Sequence, residues 1–140
     1  MPQFEQYQEQ HHEILALMTE ALERLHGVME RNDSIEMLRK LSILAEKIRL
    51  HLAQEDQLLY PALFRHPNSE VRETAQRYLT SMGNLNETFQ EYLHRWNVPE
   101  KICQEPQDFI QKTKVVFDAL AKRILSEEAN LYPLTRRANA

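Results

Sequence analysis

Apolar residues recur along the chain at steps of three and four, and polar breaks divide it into four runs. His11, Leu15, Met18, Leu22 and Leu25 share one stripe, which predicts an amphipathic helix from about Gln3 to Glu30. Arg31-Asn32-Asp33-Ser34 reads as a turn. Asp33 or Ser34 caps the next helix there, and Asp33 with Glu36 has capping-box spacing. The second helix is predicted from Ser34 to Phe64, with Leu41, Leu44, Ile48, His51, Glu55, Leu58 and Ala62 inward and Pro61 loosening its last turn. After a break at His66-Pro67-Asn68-Ser69, Val71, Ala75, Tyr78, Met82, Leu85, Phe89, Tyr92 and Trp96 predict a third helix over Glu70 to Trp96. Asn97 to Pro106 is the longest predicted connection. Thr113, Val116, Leu120, Arg123, Glu127 and Leu134 then set the inner face of a fourth helix, Gln107 to Arg136, and Ala138-Asn139-Ala140 is expected to be a disordered tail.

Four long amphipathic helices with short links predict an all-α, antiparallel up-down four-helix bundle, one domain over residues 1–140. Only two glycines, Gly27 and Gly83, are available for tight turns, which argues against a β-rich chain. The net charge is −4 and both signs are interspersed, so no basic stripe points to nucleic acid. No apolar run approaches the roughly 20 residues of a membrane span. The start Met-Pro-Gln-Phe-Glu-Gln has no secretory character, and Cys103 has no second cysteine to pair with. The expected setting is the cytoplasm.

A phrase that occurs twice changes this picture. His51-Leu-Ala-Gln-Glu55-Asp56-Gln-Leu-Leu59-Tyr60-Pro61-Ala-Leu63 returns 72 residues later as Arg123-Ile-Leu-Ser-Glu127-Glu128-Ala-Asn-Leu131-Tyr132-Pro133-Leu-Thr135. Glu, Leu, Tyr and Pro keep register, whereas His51 becomes Arg123. His11, His51, Glu55, Arg123 and Glu127 or Glu128 interrupt otherwise apolar stripes. Buried charge is costly unless paired or coordinated, so these residues need one another or an ion. His51 and Glu55, four apart, share a helix face. His11 lies about as far before the predicted turn as His51 lies after it, which sets the two at one height. Two histidines and a carboxylate suit Zn or non-haem Fe(II). His12, one step off the apolar face, is a partly exposed neighbour or a support for the ligands. His26, His66 and His94 read as structural or solvated, and Tyr60 and Tyr132 as packing residues.

His11, the His51/Glu55 pair followed by Asp56 and Leu-Tyr-Pro, and Glu127-Glu128 with a second Leu-Tyr-Pro resemble the hemerythrin-like (HHE cation-binding) domain family over nearly the whole chain. The resemblance implies a four-helix bundle around a non-haem di-iron centre, with His11 and His51 on one iron and Glu55 bridging. It also implies a fourth-helix histidine and carboxylate, here Arg123 and Glu127 or Glu128, of which the spacing from Arg123 favours Glu128. The third helix should add two histidines four apart, but the matching stretch holds Met82, Gly83, Asn84, Leu85, Asn86, Phe89 and Gln90. Three of five expected histidines are therefore missing, all from the same iron.

The resulting expectation is a site with at most one metal, mononuclear non-haem Fe or Zn. Its ligands are His11, His51, Glu55 and, optionally, Glu128, and Arg123 fills the vacated half. Such a protein would store, sense or respond to metal, O2 or NO. The alternative is a metal-free bundle used for interaction or regulation, in which Arg123 stands in for the cation. No substrate pocket or nucleophile is legible, so an enzyme, such as a mononuclear-iron one, is the least supported reading. Tyr92 and Trp96 serve either the core or an interface, which leaves a homodimer open.

Overall fold

A computed structural model describes residues 4–140 and places helical rods where the apolar periodicity predicts them. The first rod is α1 (Glu5–Glu23). The second comprises α2 (Arg31–Gln54), a π-helical turn (Glu55–Leu59) and α3 (Tyr60–Phe64). The third is α4 (Ser69–Met82) followed by α5 (Leu85–Arg95). A short α6 (Pro99–Gln104) leads to the fourth rod: α7 (Pro106–Ser126), a second π turn (Glu127–Leu131) and α8 (Tyr132–Asn139). Among the described residues there is no strand, and no helix is long and apolar enough to cross a membrane. α1 packs on α2 and α7, and α5 packs on α2 and α7, which closes the four-sided bundle.

Several predicted boundaries move. The first helix ends at Glu23, not Glu30, and its proposed start at Gln3 lies outside the described residues. The first turn is Arg24–Glu30, and residues 31–34 are already helical. There Glu30 is the N-cap, in a reciprocal box with Asp33, so the capping motif sits three residues earlier than Asp33/Glu36. Asn97–Pro106 is not a plain loop. Pro99 and Pro106 each occupy the first turn of a helix, where a missing N–H costs nothing. The expected loose tail is the last turn of α8, and Asn139 Oδ1 accepts from His66 Nε2 at 2.6 Å. His66 is accordingly buried, whereas His26 and His94 are exposed.

The third helix is broken at Gly83. A Cβ there would strike the Leu79 carbonyl oxygen, so the backbone makes a close turn that only glycine fits. The break leaves Met82 at the C-terminus of α4, where carbonyls lack intrahelical donors.

The π turns sit at equivalent places in the repeat. In each, a tyrosine N–H bonds five residues back, Tyr60 to Glu55 and Tyr132 to Glu127. The next residue is proline, whose ring clashes in a regular helix with the carbonyl four residues before it. Widening the helix just ahead of Pro61 and Pro133 relieves that clash. The inner face then shifts by one residue. Leu59 and Leu63 are buried where Leu58 and Ala62 were expected, and Leu58 is 66% exposed. Thr135 likewise replaces Leu134 in the core. In α1 the buried stripe is His11, Ile14, Met18 and Ala21, so Leu15 is only half-buried and Leu22 is exposed.

Apolar packing forms two clusters. The larger includes Ile14, Ile48, Leu52, Leu120 and Ile124. The smaller gathers Phe4, Leu59, Tyr60, Leu63, Val71, Ala75, Leu131 and Tyr132. His51, Glu55, Arg123 and Glu127 fall between these runs in α2 and α7, as a polar layer between two oily ones.

Candidate metal centre

In that layer, ligand atoms of His11, His51, Glu55 and Glu127 all lie within 4.8 Å of one another, and all four residues are buried. α1 supplies His11. α2 supplies His51, one turn before Glu55 at the head of the first π turn. Glu127 heads the second. His11 Nε2 stands 3.2 Å from Glu127 Oε1 and 3.7 Å from Glu55 Oε2, and His51 Nε2 stands 3.3 Å from Glu55 Oε1.

The rear nitrogens of both rings are engaged. His11 Nδ1 donates to Glu128 Oε2 at 2.6 Å, and His51 Nδ1 donates to Gln10 Oε1 at 2.6 Å. That leaves the two Nε2 atoms facing inward. His11 Nε2, His51 Nε2 and Glu127 Oε1 are buried with no hydrogen-bond partner. Buried polar atoms of folded proteins are seldom left unpaired. Three such atoms converging within one cluster, two imidazole nitrogens and a carboxylate oxygen, match the donors of a Zn or Fe(II) ion.

The opposite side of the carboxylates belongs to Arg123, itself 2% exposed. Its Nη2 donates to Glu55 Oε1 at 3.2 Å and to Asp56 Oδ1 at 2.6 Å, and its Nε donates to Glu127 Oε2 at 3.4 Å. Nη1 donates to the Met82 carbonyl at 3.2 Å, the group freed by the break at Gly83. The guanidinium also lies 5.2 Å from the Tyr60 ring centroid.

Each tyrosine of the repeat crosses to the other half. Tyr60 Oη donates to Glu127 Oε2 at 2.7 Å and Tyr132 Oη donates to Glu55 Oε2 at 2.8 Å. They are more than packing residues, because the π turn brings them round to the carboxylates. Sequence reasoning favoured packing over a hydrogen bond to a bound ligand for them and missed Gln10, although Pro61 and Pro133 at equal offsets signal the change of register.

Glu127 and Glu128 exchange the places that spacing suggested. Glu127 is fully buried in the cluster, whereas Glu128 is 31% exposed and lies behind His11. The five-residue spacing implied by the family resemblance favoured Glu128, whereas the helical stripe held Glu127 inward. Glu127 lies one regular turn after Arg123, as Glu55 lies one turn after His51, and that spacing places it inward before the helix widens. His12 is exposed and takes no part.

Charges in the layer are coupled. Burial opposes ionisation of Glu55, but the close approach of His11 and His51 and the charge of Arg123 hold its carboxyl well below the usual range. Burial, then the Glu55 charge, raises Glu127 to about 7. Burial works against His11 protonation, yet Glu127 and Glu55 outweigh it and raise the imidazole to about 10. Without a cation, therefore, the layer holds on to a proton.

A bundle that carries a buried histidine–carboxylate cluster between apolar clusters is a helical architecture with the donors to hold a metal. The chain belongs to a particular family of that class: the hemerythrin HHE cation-binding domain matches residues 3–135. Neither a curated protein nor a solved structure matches it.

Proposed function

We propose that this chain binds one cation, non-haem Fe or Zn, through His11, His51, Glu55 and Glu127, and that it serves as a metal-, O2- or NO-responsive or storage module. The observation that carries the reading is the set of unpartnered atoms His11 Nε2, His51 Nε2 and Glu127 Oε1 beside Glu55. When bound, the cation supplies a Lewis acid, and iron adds a one-electron couple with affinity for diatomic gases. The side chains orient the site: Gln10 and Glu128 fix the rings, and the two tyrosines fix the carboxylates. Arg123 places a permanent charge against Glu55, Asp56 and Glu127, which supports one cation rather than two.

Metal analysis of protein purified anaerobically, with and without His51→Ala, tests the proposal. About one equivalent in the parent, lost in the variant with helical content intact, is expected. Two equivalents refute the single-cation reading. The Arg123 network favours a second reading, a metal-free regulatory bundle. That reading wins if metal content starts near zero and exhaustive chelation leaves the melting temperature unchanged.

A further inference from the structure

The residue after each buried glutamate does a job of its own. Asp56 follows Glu55 and, 27% exposed, grips Arg123 Nη2. Glu128 follows Glu127 and, 31% exposed, grips His11 Nδ1. In both halves the π turn sends one carboxylate to the centre and the next to a nitrogen of a neighbouring side chain, in the second half the rear nitrogen of an imidazole. Glu128 is held in turn: Gln8 Nε2 donates to its Oε1 at 3.1 Å, and Arg136 Nη2 donates to Gln8 Oε1 at 3.0 Å. A chain of contacts thus runs from α8 through α1 to a candidate ligand.

We infer that Glu128 is a positioning residue for the cation, not a ligand: it accepts the Nδ1 proton of His11 and so fixes the ring tautomer that presents Nε2. The inference rests on the single-cation reading. A carboxylate behind a metal-bound imidazole fixes ring orientation and raises ligand basicity. His51 has only the neutral Gln10 amide behind it, itself tied to Gln54 at 3.0 Å. Of the two rear contacts, Glu128 is therefore the one that adds charge.

The test titrates Zn2+ into the chelated full chain and into Glu128→Ala, Glu128→Gln and Glu127→Ala, with circular dichroism to establish folding. Nitrogen-15 NMR of the Zn-loaded forms reads the His11 tautomer. We expect Glu128→Ala to keep one equivalent but bind about 10- to 100-fold more weakly. Glu128→Gln, which keeps an acceptor oxygen, should recover part of that loss. In the parent, His11 should carry its proton on Nδ1, and in Glu128→Ala that signal should broaden or exchange faster. Glu127→Ala should weaken binding more than any Glu128 variant. Unchanged affinity and an unchanged tautomer signal in Glu128→Ala overturn the positioning role. Loss of the equivalent in Glu128→Ala with retention in Glu127→Ala makes Glu128 the ligand and overturns it too. A parent that binds neither Zn2+ nor, titrated anaerobically in the same way, Fe2+ instead refutes the single-cation reading and this inference with it.

Discussion

The two halves of the repeat share a backbone and differ in one side chain of consequence. In the first, α2 places His51 one turn before Glu55. In the second, α7 places Arg123 one turn before Glu127. Both then enter a π turn, and both send a tyrosine across to the other half's carboxylate. An imidazole offers a lone pair to a cation, whereas a guanidinium is a cation with five donors and no acceptor. The same backbone therefore supports an exchangeable positive charge on one side and a built-in one on the other.

Breaking the built-in charge should have the largest effect. Arg123→Ala leaves Glu55 and Glu127 buried without their fixed counter-ion and is expected to cost about 3–5 kcal/mol in chelated protein, read by urea unfolding. His51→Ala under the same conditions leaves the Arg123 counter-ion in place and should cost clearly less. Equal losses would mean that the halves are not specialised. Next in size are the crossed phenols. Tyr60→Phe and Tyr132→Phe each remove a hydrogen bond to a buried carboxylate, worth about 1.5–3 kcal/mol. The repeat predicts similar values, and a large loss in only one variant would break the equivalence of the turns.

The finest test is pH. In metal-free protein, His11 is raised from 6.5 to about 10 and Glu127 from 4.5 to about 7. For both groups the folded state binds more protons than the unfolded one. Stability contributed by Glu127 is full below pH 4.5 and lost as pH rises towards 7, and that of His11 is lost between 6.5 and 10. Glu55, shifted downward, adds stability above 4.5 that fades on acidification. The urea midpoint of chelated protein should therefore fall as pH climbs from about 6.5 to about 10. With a cation present, binding sheds those protons, and the trend should weaken or reverse. A midpoint independent of both pH and metal would sink the picture of a proton held in the cation's stead.

Apolar periodicity was enough to read the bundle, because long amphipathic helices have one way to hide their stripes. It also placed His11, His51, Glu55, Arg123 and Glu127 inward, since each lies before the widened turn shifts the helix phase. It failed where geometry departs from 3.6 residues per turn. Leu58 was favoured over Leu59 because an ideal helix was extended through Pro61, whereas Glu128 was favoured over Glu127 by the five-residue spacing that the family resemblance implied, against the helical stripe that held Glu127 inward. The break at Gly83 left no mark in the apolar pattern: Met82 and Leu85 stay buried on either side of it. α6 was missed because its two flanking prolines suggest a loop as strongly as they suggest helix starts.

The widened turns also constrain how this chain can change over generations. Removing one residue between 55 and 59, or between 127 and 131, would restore ordinary helical pitch and keep Leu59 and Leu63, or Leu131 and Thr135, inward, but it would press the ring of Pro61 or Pro133 onto the carbonyl four residues before it. The kink that relieves this clash would carry Tyr60 or Tyr132 off its carboxylate. These stretches can drift by exchange of letters, but their length is locked.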